Sequence, residues 1–174
     1  MIDFKTIDYL KSGNSRQQEA YHTLKDLEIF EKLEHYHPLL AGTIPIEIDL
    51  PHSDLDIICY CKDHQKFTKK LKELFENERE FSIKSKIHEG IQASIAKFKT
   101  LHFDIEIFGQ SIPTSQQNAY KHMLIEYKIL KANDLAFKTE ILKLKSEGYT
   151  TEAAFAKQLG LSGNPFVELL KVEI

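Results

Sequence analysis

The sequence predicts an α+β protein, a mixed β-sheet flanked by helices with a helical segment at its C-terminal end. Three observations predict this. Apolar residues alternate with a period of two near residues 54–61, 81–87, 91–97 and 101–108. Apolar stripes at helical spacing occupy 15–33 and 63–75. From residue 115 onward every periodic segment is helical. The chain has 174 residues, 42% hydrophobic and 28% charged, which suits one domain with a sizeable core. We divide it into an α/β core over 1–110 and a helical region over 111–174, packed together as a single compact unit.

Composition narrows the partners. A net charge of −3 gives no electrostatic case for long nucleic acid, which calls for a basic surface. The opening MIDFKTIDYL lacks the basic-then-apolar plan of a signal peptide, and no apolar run approaches membrane-spanning length. Cys59 and Cys61, two apart on one strand face, read as buried thiols, not as a disulfide. The expected location is the cytoplasm, away from membranes.

Taken in order, Asp3 to Lys11 predicts a short helix with Phe4, Ile7 and Leu10 inward and Ser12-Gly13 as its stop. Ser15 and Gln18 match a capping box for a helix reaching about Leu33, with Ala20, Leu24, Leu27 and Phe30 or Glu31 along its seam. His35 and His37 before Pro38 read as a solvated loop in preference to a metal pair. Leu39 to Gly42 is the first core strand. Ile44, Ile46, Ile48 and Leu50 alternate with Pro45, Glu47 and Asp49, which predicts a half-buried strand or an extended arm. Pro51-His52-Ser53 turns the chain into a strand from Asp54 to Cys61.

Asp63 is a helix cap, followed by Phe67, Leu71, Leu74 and Phe75 on one face. Three strands then form an antiparallel meander, the first two joined by a turn at Glu89-Gly90. In the third, Leu101, Phe103, Ile105 and Ile107 face inward, and His102, Asp104, Glu106 and Phe108 outward. A helix from Ser115 to about Lys131 carries Tyr120, Met123, Leu124, Tyr127 and Leu130 as its stripe. His122 and Glu126 are neighbours on its flank, a spacing that can bind a metal but more commonly makes a hydrogen bond. Helices capped by Asn133 or Asp134, by Thr150 or Thr151, and by Asn164 with Pro165 at the first position complete the chain.

The chemistry concentrates between Leu39 and Cys61. Asp54 and Asp56 lie on one strand face, roughly 6–7 Å apart at Cα, while Leu55, Ile57, Cys59 and Cys61 point into the core. Two neighbouring carboxylates repel, and a hard cation such as Mg²⁺ removes that repulsion. Gly42-Thr43 adds a turn where backbone N–H groups and a hydroxyl can approach a phosphate. Asp104 and Glu106 repeat the two-acid pattern on the last strand of the meander.

Ala41-Gly42-Thr43 followed after about ten residues by Asp54-Leu55-Asp56-Ile57 resembles the signature of the nucleotidyltransferase superfamily, which includes DNA polymerase beta and the aminoglycoside nucleotidyltransferases. Thr43 stands where Ser is usual. More narrowly, AGTIPIEIDLPHSDLDIICY, FDIEIFGQ, QQNAYKHMLIEYKIL and TTEAAFAKQLGLSGNPFVELL resemble the bacterial family called domain of unknown function 4269, between Leu40 and Leu170. The resemblance implies transfer of a nucleoside monophosphate from an NTP, ATP first among them, to the hydroxyl of an unidentified small acceptor. It implies catalytic and metal-binding roles for Asp54, Asp56 and Glu106, with Asp104 as the reserve third acid, around two Mg²⁺ ions. Gly42, Thr43, Ser53 and Lys121 would grip phosphates, Lys121 as counter-charge. Gln110, Gln117, His122 and Glu126 would line the pocket. The alternatives are a catalytically silent nucleotide-binding or regulatory module, and a metal-dependent phosphohydrolase using water as acceptor.

Overall fold

The computed structural model describes residues 2–88 and 90–173. Five strands form one mixed sheet: β1 (Leu39–Ala41), β2 (Leu55–Tyr60), β3 (Arg79–His88), β4 (Ile91–Lys99) and β5 (Asp104–Gln110), in the order β1-β2-β5-β4-β3. β2 and β5 run parallel at the centre, and every other pairing is antiparallel. The expected meander is β3-β4-β5. Gly90 follows β3 at φ +78°, and the Glu89 half of the predicted turn lies outside the described residues.

The two sheet faces bury different cores. Leu55, Ile57, Cys59, Ile105 and Ile107 join Leu24, Phe67, Leu71 and Phe75 from α1 (Ser15–Asp26) and α3 (His64–Phe75). Ile58, Leu39 and Ala41 face the other way, toward Met123, Ile129, Ile141 and Phe155. These belong to α4 (Asn118–Ala132), α5 (Leu135–Ser146) and α6 (Thr151–Leu159), which a short α7 (Pro165–Leu169) follows. The period-two pattern produces this division, since each step along a strand changes face.

Several boundaries depart from expectation. Asp3 to Lys11 holds only a 3-10 turn at Asp8–Ser12, although Phe4, Ile7 and Leu10 are buried as expected. The capping box uses Asn14 and Gln17, one residue earlier than Ser15 and Gln18. The following helix breaks at Glu28, whose φ of +53° starts a separate α2 (Ile29–Lys32). That break puts Ile29 and Leu33 fully in the core, with Phe30 half-buried against it as expected and Glu31 exposed. Ile44–Ile46 is a 3-10 turn and not a strand, because Pro45 has no N–H to give a ladder. Leu101, expected inward, sits in the bend before β5 and is 86% exposed. The helix expected from Ser115 begins at Asn118, after a 3-10 turn at Thr114–Gln116 and an extended Gln117. The remaining caps are Asp63, Asp134, Thr150 and Asn164, each accepting a backbone N–H of its helix's first turn.

Candidate active site

The parallel pairing of β2 with β5 sets Asp56 opposite Glu106, and the antiparallel pairing of β4 sets Lys97 on the other side of Glu106. Paired residues share a sheet face, so the three charges lie in one row. Lys97 Nζ ion-pairs with Glu106 Oε2 at 2.5 Å. On the opposite flank Ala41 pairs with Asp56. Gly42 follows with φ +83°, in the left-handed region that favours glycine. A Cβ there would stand 2.5 Å from Asp56 Oδ2, so Gly42 is required both by its backbone and by the carboxylate beside it.

A hollow of about 340 Å³ opens over this row. Gly42, Thr43, Asp56 and Glu106 form its sheet side, with Phe108 and Gln110 further along β5. Lys86 and His88 of β3 reach it from the far edge. Gln117, Asn118, His122 and Glu126 line it from α4 and its approach, and Glu152 and Phe166 from α6 and α7. Gln117 Nε2 donates to the carbonyls of Cys59 and Ile112, both at 2.9 Å, which ties the start of α4 to β2.

The expected residues do not all meet there. Asp54 precedes β2 and lines a smaller neighbouring depression with Asp104, Lys97 and Glu106; Glu106 borders both spaces. Asp54 still acts on Asp56 through its charge. Asp104 is exposed at the start of β5, paired in register with Lys99. Ser53 is outside the lining, and its Oγ accepts the Leu50 N–H at 2.9 Å, so it shapes the loop before the acids. Thr43 Oγ1 is 3.5 Å from Ser53 Oγ. Lys121 is exposed and turned out of the hollow, because Tyr120, His122 and Met123 take the buried face of that turn of α4. Gln110, Gln117, His122 and Glu126 line the hollow as expected. Lys86, His88, Glu152 and Phe166 were missed. Lys86 and His88 alternate on one face of β3, a signal the sequence does contain; Glu152 and Phe166 arrive through helix packing, which leaves no local trace.

Two neighbouring side chains of α1 hold the segments that carry the acids. Arg16 of α1 donates Nη2 to the Pro51 carbonyl at 3.2 Å and Nη1 to the His102 carbonyl at 3.3 Å. Its guanidinium lies 3.9 Å over the Phe103 ring. One side chain therefore clamps the loop before Asp54 to the loop before Asp104. Gln17, buried, donates Nε2 to the carbonyls of Ile44 and Pro45 and holds the turn that follows Thr43.

The lining carries four carboxyl groups, Asp56, Glu106, Glu126 and Glu152, against one lysine. Burial, then the charges of Asp54 and Glu106, push the Asp56 carboxyl up to about 7, with Lys97 opposing. A divalent cation relieves that repulsion, and Gly42 leaves the Asp56 carboxylate free of side-chain cover; the donor set is all oxygen, which suits Mg²⁺. The oxygen donors of Asp56 and Glu106, with the charge of Asp54 close by, are of the kind that Mg²⁺ accepts. Cys59 and Cys61 are free buried thiols, as expected. Among the described residues no helix is long and apolar enough to cross a membrane.

A mixed five-stranded sheet flanked by helices, with acids from two parallel central strands beside a glycine turn, is the nucleotidyltransferase fold. Solved structures with that fold superpose on the chain. An RNA terminal uridylyl transferase, Cid1, aligns with TM-score 0.54 at 16% identity over 74% of this chain and 40% of its own. A cytoplasmic RNA terminal U-transferase aligns with TM-score 0.50 at 17% identity over 74% of this chain and 38% of its own. The GLD-2/RNP-8 complex aligns with TM-score 0.55 at 14% identity over 87% of this chain and 60% of its own. The chain thus spans about two fifths to three fifths of these neighbours' lengths, and identities this low establish the fold alone. A search of curated protein sequences returned no match. The chain belongs to the family described as Domain of unknown function (DUF4269), whose profile matches residues 22–172.

Proposed function

We propose that this protein is a metal-dependent nucleotidyltransferase that moves a nucleoside monophosphate from an NTP to an acceptor hydroxyl. The observation that carries the reading is the Asp56–Glu106 pairing across two parallel strands, directly beside the Gly42 turn. In the reaction an acceptor oxygen bonds to the α-phosphorus, the bond to the α–β bridging oxygen breaks, and pyrophosphate leaves. The acceptor's proton passes to a carboxylate of the acidic row. Bound Mg²⁺, in a two-ion arrangement, would neutralise triphosphate charge and ease ionisation of the hydroxyl. Asp54 and Asp56 would hold one ion and Glu106, with Asp104 in reserve, would help hold the second. Gly42 and Thr43 face the phosphates, and Ser53 supports them from behind. Lys86 takes the counter-charge role first expected of Lys121, because Lys86 lines the hollow. Residues 1–110 form the catalytic core in this reading and 111–174 the wall opposite the acids. ATP is the first nucleotide to test, and the compartment is the cytoplasm.

The acceptor is open. Two of the neighbours are named for RNA terminal U-transferase activity, so the net charge of −3 does not decide between a small acceptor and RNA. Four carboxyl groups around the hollow mean that a triphosphate enters it only with cations.

Replacing Asp56 with Asn removes a charge and keeps the shape. Calorimetry with a non-hydrolysable ATP analogue and Mg²⁺ should show affinity falling by more than about tenfold, with the circular dichroism spectrum unchanged. Unchanged affinity refutes the assignment. The Lys97–Glu106 ion pair favours one rival, a nucleotide-binding module without turnover, because it occupies the third acid. Pyrophosphate release from labelled ATP in the presence of mixed cellular acceptors separates the two, and release of AMP without an acceptor marks a phosphohydrolase.

A further inference from the structure

The wall of the hollow formed by α4 and α6 contains its own set of donors. His122 and Glu126 are one turn apart on α4, and Glu152 reaches them from the first turn of α6. One potential ligand atom from each lies within 4.8 Å of the others, and this is the only such trio among the described residues. His122 and Glu126 are 3% and 4% exposed. Among the described residues no hydrogen bond or ion pair reaches the Glu126 carboxylate, and the nearby Lys145 ammonium is donated to the Ile48 carbonyl. An independent observation points the same way. Gln117, 2% exposed, lines the same hollow with its Oε1 lacking a hydrogen-bond partner among the described residues. The Phe166 ring packs on His122 at 4.2 Å between centroids and fixes the imidazole plane.

A buried carboxylate without a partner is costly, and a cation supplies what the fold withholds. We propose that His122, Glu126 and Glu152 bind one divalent transition-metal cation, at a site separate from the acidic row on the sheet. An imidazole with two carboxylates suits Zn²⁺ or Mn²⁺ better than Mg²⁺, which prefers oxygen alone. Three protein ligands leave a coordination position for water or for a ligand in the hollow. The ion also joins α4 to α6, so it fixes the wall against which a substrate lies. None of this depends on nucleotidyl transfer.

The test uses the full chain, stripped with chelator, in the D56N background so that the acidic row is disabled. Calorimetry with Zn²⁺ should show one ion bound per chain. Adding E126Q or H122N should weaken binding by more than about tenfold, with circular dichroism confirming the fold. Co²⁺ should give visible bands that H122N abolishes. The proposal is overturned if D56N alone abolishes binding, if E126Q and H122N bind as D56N does, or if no ion binds. A thiolate charge-transfer band also overturns it, because that places the ion at Cys61 and His64, whose Sγ and Nδ1 stand 3.6 Å apart.

Discussion

Single side chains in this site are constrained by what stands next to them. Gly42 is the tightest case. Gly42→Ala meets a left-handed backbone and a carboxylate oxygen 2.5 Å from the new methyl, so either the turn or Asp56 must shift. We expect a loss of about 1–3 kcal/mol in urea-unfolding stability and a matching loss of Mg²⁺-dependent nucleotide binding. Both lysines are exposed, and they separate on which of them lines the hollow. Lys86→Ala should weaken ATP-analogue binding by about tenfold, the worth of one charge-assisted contact. Lys121→Ala should leave it unchanged, because Lys121 faces solvent outside the hollow. Equal effects in calorimetry would return the counter-charge role to Lys121.

At the scale of elements, the strands were legible and the joints between elements were not. The two-residue period gave β2 and β5 their faces, and with them the sharing of a face by Asp56 and Glu106. The break at Glu28 has no signal in composition, because a left-handed glutamate is chosen by packing around it and not by its own preference. The 3-10 turn at Ile44–Ile46 buries Pro45 together with both isoleucines, so the alternation of residue types in the sequence pointed to the wrong element. Glu152 and Phe166 entered the site through helix packing over long sequence separation. The joint carried by Arg16 is testable. Arg16→Lys keeps the charge but cannot hold the Pro51 and His102 carbonyls at once. It should cost on the order of 1–2 kcal/mol in urea unfolding and weaken Mg²⁺-dependent nucleotide binding, although Arg16 lies outside the hollow's lining. Loss of stability with binding intact would make Arg16 a stabilising residue only.

Across the whole molecule, the two cores on either side of the sheet meet at Tyr9, whose ring packs against both. Its hydroxyl is buried without a hydrogen-bond partner among the described residues, and burial raises its pKa. Burial likewise raises the Cys59 thiol, and pushes Cys61 up to about 12, with the charge of Asp63 adding to the effect. For an acid held above its ordinary pKa, the folded state keeps a proton that the unfolded chain has already released. Unfolding therefore becomes easier as pH rises past the unfolded value, near 8.5 for a thiol and 10 for tyrosine. Each such group steepens the loss by about 1.4 kcal/mol per pH unit. The contribution of the thiols and Tyr9 should hold level from pH 7 to 8, then fall by on the order of 3 kcal/mol between pH 8.5 and 10. Replacing both cysteines with alanine lowers stability at neutral pH through the cavities left behind. The same replacement should flatten the alkaline slope, because no buried thiol remains to hold its proton. Urea midpoints at pH 7.5, 8.5 and 10 for the two proteins measure both effects. A slope identical in the two would show that the thiols ionise as readily inside this core as outside it.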